Sequence, residues 1–155
     1  MSVEIPTMPV PPQQTLHLLA ARMGANLPAS YVDFVSRHDG ATPESNSFEV
    51  GAANASNVRR FISVADAPSI LEKVDGFPSG MIPVAEDDCG NLVYIDPANG
   101  GVFFWDHEID GPDLRVASNL PAFLSQLTPF DPSKVQLAPG QVLHAWVDAD
   151  FKPEF

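Results

Sequence analysis

The stretch MIPVAEDDCGNLVYIDPANGGVFFWDHE, from Met81 to Glu108, is the most informative part of the chain. Ile82 to Ala85, Leu92 to Ile95 and Val102 to Trp105 are apolar runs of strand length, rich in β-branched and aromatic residues. Asp87-Asp88-Cys89-Gly90-Asn91 turns the chain between the first two runs, and Asp96-Pro97-Ala98-Asn99-Gly100-Gly101 joins the second to the third. Proline early in that second loop and Asn-Gly-Gly at its end provide the backbone freedom it needs. Nearly every residue of the last two runs is apolar, which predicts paired strands with both sheet faces covered, one of them by helices. Trp105, beside Phe103 and Phe104, reads as core rather than as a ligand platform.

On the N-terminal side, Leu16, Leu19, Ala20 and Met23 recur at i, i+3, i+4, i+7, predicting an amphipathic helix over Gln13–Met23 with Gly24 as its cap. A second helix is expected from Leu27-Pro28, with proline at its first position and Tyr31, Phe34 and Val35 as the buried stripe, ending at His38-Asp39-Gly40. The short link Gly24–Asn26 predicts that the two pack as an antiparallel pair. Ala41–Ser47 reads as loop, Phe48–Val50 and Val58–Val64 as strands, Ala67–Val74 as a short helix, and Phe77–Gly80 as a turn. After the hairpin come an edge strand at Arg115–Ala117 and a helix at Leu120–Leu127 capped by Ser118-Asn119.

The organisation is therefore a Pro-rich arm over 1–13, one α+β domain over 14–127, and an extension over 128–155 broken by Pro129, Pro132 and Pro139-Gly140. A chain of 155 residues suits a single domain that buries roughly 68–70% of its unfolded surface. Trp146, Phe151 and Phe155 make the extension too apolar for a solubility tail, and they are expected to dock on the body or on a partner.

Charge bounds the function. The formal charge is −12 and the pI about 4.4, which disfavours nucleic acid and anionic membrane as ligands, since both are polyanions. Between Lys73 and Arg115 there is no Lys or Arg, yet Asp75, Glu86, Asp87, Asp88, Asp96, Asp106, Glu108, Asp110 and Asp113 all fall there. A field of one sign on a rigid hairpin suits recognition of a basic partner; the plainer reading is a surface that keeps the protein soluble. Cys89 is the only cysteine, so the chain forms no internal disulfide. The N-terminus has neither a basic n-region nor an apolar h-region, and no run reaches the ~20 apolar residues of a membrane helix, so the cytoplasm is the expected address.

Catalytic chemistry finds little support. A Cys89–His107 nucleophile and base would need the thiolate stabilised, and the charges nearest Cys89 in sequence are Asp87 and Asp88. Asp106, His107 and the Glu86–Asp88 carboxylates lack a recognised metal-ligand spacing, and Asp96–Gly101 lacks the downstream Glu of a calcium loop. Neither a Gly-x-Ser-x-Gly elbow nor a phosphate-cradling glycine loop occurs. Paired carboxylates for acid–base hydrolysis remain open, because sequence does not supply the pocket that would separate their roles.

Taken in order, Leu27-Pro28-x-x-Tyr31-x-x-Phe34-Val35, His38-Asp39-Gly40, Ile82-Pro83-Val84-Ala85 and Gly90-Asn91 resemble the SUKH superfamily, built around the fungal cell-wall-synthesis regulator domain. The likeness continues through Leu92-Val93-Tyr94-Ile95-Asp96, Gly101-Val102-Phe103-Phe104-Trp105-Asp106-His107 and Leu120-Pro121-Ala122-Phe123-Leu124. It implies an α+β domain with an antiparallel sheet packed against helices, and in bacterial members a non-enzymatic immunity protein that silences a toxin. The arm before Gln13 and the tail after Thr128 fall outside the pattern.

The expected function is thus neutralisation of a basic toxin, a nuclease or nucleic-acid deaminase, by occlusion. The partner-binding residues would be Glu86, Asp87, Asp88, Asp106, Glu108, Asp110 and Asp113, all taken as solvent-facing, with no catalytic residue, metal or cofactor. A regulatory scaffold of the same family and a carboxylate- or metal-dependent hydrolase are the alternatives.

Overall fold

The computed structural model describes residues 5–51 and 54–129. Their order is α1 (Gln13–Met23), α2 (Ala29–His38), β1 (Ser47–Val50), β2 (Asn54–Asn57), β3 (Arg60–Phe61), α3 (Ala67–Lys73), β4 (Ile82–Glu86), β5 (Leu92–Ile95), β6 (Val102–Trp105), β7 (Leu114–Ala117) and α4 (Leu120–Ser125). Strands β3 to β7 form an antiparallel meander in chain order, and β1 pairs with β2 as a separate hairpin. The fold is α+β, as the apolar runs predict. Trp146, Phe151 and Phe155 lie outside the described residues.

The register assigns the two faces of the sheet. Val93 opposes Phe104 and Ile95 opposes Val102, while Leu92 opposes Trp105 and Tyr94 opposes Phe103. Alternation along each strand puts the first set on one face and the second on the other. On the first face Phe104 meets Phe48 of β1, and Phe48 meets Phe123 of α4 edge-on at 5.1 Å. The same face carries Phe61, whose ring packs edge-on against Phe34 of α2 at 4.8 Å. On the second face Phe77, just after α3, packs edge-on against Tyr94 and Trp105 at 5.7 and 5.6 Å. All residues of β5 are accordingly buried, and so is Trp105.

Local chemistry explains the element ends. Gly24 closes α1 in the left-handed conformation at φ 69°, and its N–H reaches back to the α1 carbonyls. Pro28 stands one residue ahead of α2, as its N-cap, rather than as the expected first helical residue. Pro83 is tolerated within the sheet at an irregularity, where the register with β5 shifts between Pro83 and Ala85. Asn119 Oδ1 accepts the Ala122 N–H at 2.8 Å, the side-chain cap of α4. Asn119→Ala should therefore cost about 1 kcal/mol in a urea titration. A change below a few tenths would mean the cap is dispensable.

Three expectations differ from what is found. The helices in closest contact are α1 with α3 and α2 with α4, rather than α1 with α2 as the short link suggests. The segment Val58–Val64 is ladder only at Arg60–Phe61; its N–H groups alternate between loop and sheet, Val58 to Asn46, Arg59 to Glu86, Phe61 to Ala41 and Ile62 to Val84. Strand β2, Asn-Ala-Ser-Asn, is polar and carries no alternation to announce it. The N-terminal arm is strapped to the end of α2 by Met8 N–H to the Arg37 carbonyl (2.8 Å) and by a 2.9 Å contact of His38 Nδ1 with the Pro6 carbonyl.

Candidate functional site

In an antiparallel meander alternate connections emerge at the same end of the sheet. The β4–β5 turn (87–91) and the β6–β7 loop (106–113) are two such connections, so distant stretches of acidic sequence become neighbours. The β1–β2 hairpin is pinned to the same end: Ser56 Oγ donates to Asp87 Oδ2 at 3.0 Å, and Asn57 Nδ2 to Asp88 Oδ2 at 2.7 Å. Between these three segments lies an open groove of about 440 Å³. Val50, Phe104, Ile109, Pro112 and Leu114 supply its apolar lining, Asp87, Asp106 and Asp113 its carboxylates, and among the described residues no Lys or Arg lines it. Ile109 is 67% exposed and Leu114 48%.

The seven acids predicted from sequence divide by environment. Asp106 and Asp113 line the groove, while Asp88, Glu108 and Asp110 are exposed on the same connections. Glu86 does not line it; its carboxylate pairs with Arg60 of the neighbouring strand. Asp87 departs furthest from the solvent-facing expectation. It is 5% exposed, the one buried charged residue among those described. Its Oδ1 accepts the N–H groups of Cys89 and Asn91 at 2.9 and 2.8 Å, and its Oδ2 accepts Ser56 Oγ and Asn91 Nδ2, both at 3.0 Å. Asp87 therefore builds the turn that the other acids stand on. The pattern is an Asx turn, and Asp followed by Gly90-Asn91 was its signal in the sequence. Gly90, at φ 87°, completes the turn in a left-handed conformation that favours glycine.

Asn91 extends this framework to the second acidic loop. Its Oδ1 lies 2.8 Å from His107 Nδ1, and the His107 backbone N–H also reaches it at 3.3 Å. One side chain thus clamps the two connections together. His107 is occupied by Asn91, and no hydrogen bond joins it to Cys89 among the described residues. The described residues also contain no group of three or more His, Cys, Asp or Glu placed to hold a metal ion. None of their helices is long and apolar enough to cross a membrane.

Asp113 is held from the other side of the sheet by the Tyr94 hydroxyl, which donates to its Oδ2 at 2.6 Å. Burial, reinforced by this hydrogen bond to a carboxylate, raises the Tyr94 hydroxyl well above its ordinary pKa of 10.0. Burial and nearby Asp39 raise Tyr31 in the same direction, and its hydroxyl has no partner among the described residues. Both tyrosines of the chain are thus more readily ionised when unfolded. Their contribution is intact below pH 10 and is lost as pH rises further, because the unfolded chain releases its protons first. Alkaline titration should show tyrosinate absorbance near 295 nm rising together with loss of far-UV circular dichroism. Full tyrosinate absorbance on an intact fold would contradict this.

Comparison with known proteins adds a family. Residues 12–126 match the model of the SMI1 / KNR4 family (SUKH-1). The chain is also similar to the SPbeta prophage-derived uncharacterized protein YokK of Bacillus subtilis (strain 168), at 26% identity over a 163-residue alignment that covers 88% of this chain and 84% of that protein.

Proposed function

Because this chain belongs to the SMI1 / KNR4 family (SUKH-1), we propose that it is an immunity protein that binds a basic toxin and silences it by occlusion. The observation that carries the reading is the convergence of two acidic connections on one groove with an apolar lining and, among the described residues, no cation. A nuclease or nucleic-acid deaminase must present a basic surface to a polyanion, and an acidic protein face competes for that surface. Asp88, Asp106, Glu108, Asp110 and Asp113 act as the facing charges, with Glu86 and Asp87 holding the scaffold beneath them. Such a field raises association rates by roughly 10–10³-fold, which suits an antidote that must outrun its toxin. Neutralisation needs no bond-making by this chain, and the working compartment is the cytoplasm.

Co-expression with a candidate toxin, sought in the gene immediately upstream, tests the reading. Cells making both should grow, and the two proteins should purify as a complex. Growth arrest despite abundant folded protein would overturn it and favour a regulatory scaffold.

A further inference from the structure

Two of the four large apolar side chains exposed among the described residues, Ile109 and Leu114, line the same groove. Each has a structural reason to be there. Leu114 starts β7 opposite Phe104, on the face that the β1–β2 hairpin covers only in part. Its Cδ1 lies 3.8 Å from where a β-carbon on Gly51 would stand, so a side chain there would close in on Leu114. Ile109 stands between Glu108 and Asp110, an aliphatic residue flanked by carboxylates on an exposed loop. Among the described residues, the two acids that line the groove with them, Asp106 and Asp113, have no Lys or Arg beside them within it.

We infer that the groove takes one kind of occupant: an exposed partner segment in which an arginine or lysine is flanked by aliphatic residues. The cationic head would meet Asp106 and Asp113, while its aliphatic neighbours and its own stem cover Ile109, Leu114 and Phe104. Charge complementarity selects the cation, and the apolar lining selects what stands beside it. Ile109 and Leu114 are then the anchor contacts, with the outer acids steering approach. This rests on the immunity reading and names the partner chemistry it requires.

The probe is the peptide acetyl-Val-Arg-Leu-Arg-Val-amide, titrated into the full-length labelled protein and followed by amide shifts. Two controls replace both arginines by citrulline, or all three aliphatic residues by glycine. Shifts at Phe104, Ile109 and Leu114 with the first peptide alone are expected. Ile109→Ser should weaken that binding about tenfold with an unchanged melting temperature, since the residue is already mostly exposed. Equal binding of either control, shifts confined to another surface, or no shift at millimolar peptide would overturn the inference. The two readings fail separately. If Ile109→Ser and Leu114→Ser still bind and neutralise the toxin like the unaltered chain, the groove is wrong and the immunity reading stands. If the peptide fills the groove while no toxin is neutralised, the groove stands and the immunity reading falls.

Discussion

Asp87→Ala should lose about 3–4 kcal/mol of folding stability, a shift that lowers a urea midpoint by roughly 2–3 M at the m-values of small domains. The size follows from four donors that converge on one buried carboxylate: Ser56 Oγ, the Cys89 and Asn91 N–H groups, and Asn91 Nδ2. Hydrogen bonds to a charged group contribute about 1.5–3 kcal/mol each, and a donor left buried without a partner costs about 1–3 kcal/mol. The turn can relax and admit water, which keeps the total below the sum. Asp87→Asn should fall between, because one oxygen can still serve the Oδ1 donors while the new amide faces Ser56 and Asn91 Nδ2 with a donor. Asp88→Ala, one residue on and exposed, should change stability by no more than about 0.5 kcal/mol. Equal, small effects at both positions would remove Asp87 from its scaffold role.

The reversal of Asp88, Glu108 and Asp110 to lysine should act in the opposite way. All three are exposed, and the only hydrogen bond that a carboxylate of the three accepts from another side chain, among the described residues, comes from Asn57 to Asp88. The melting temperature should stay within a few degrees of the unaltered chain. Toxin binding should weaken by about 10²–10³-fold, because each change removes an attraction and installs a repulsion against a basic surface. The association rate of the unaltered chain should also fall with added salt as the screening length drops from about 10 Å at 0.1 M to about 3 Å at 1 M. A reversed protein that binds like the original, at a rate indifferent to salt, would move the interface off this end of the sheet.

The strands and helices with strong apolar patterning were legible from residues alone. Helix α1 and strands β5 and β6 run as predicted, and Tyr31, Phe34 and Val35 are buried on α2. What escaped was structure held by contacts rather than by pattern. Strand β2 is ordered through its register with β1 and through Ser56 and Asn57 reaching the β4–β5 turn, neither of which a polar tetrapeptide advertises. The closer helix partners, α3 for α1 and α4 for α2, are distant in sequence, so a short link between α1 and α2 does not announce them. At the candidate site, the run of acids pointed to the two connections that border the groove but treated them as one surface. Counting charges along a sequence cannot distinguish Asp87, which the turn encloses, from Asp88, which it turns outward.

Stoichiometric titration of the purified toxin tests the central claim most directly. Its activity should fall in proportion to the added chain and vanish once the toxin is saturated, and toxin separated from the complex in denaturant and refolded should regain activity with unchanged mass. Loss of activity at catalytic amounts of this chain, or a toxin recovered cleaved or modified, would contradict neutralisation by binding and restore an enzymatic mechanism.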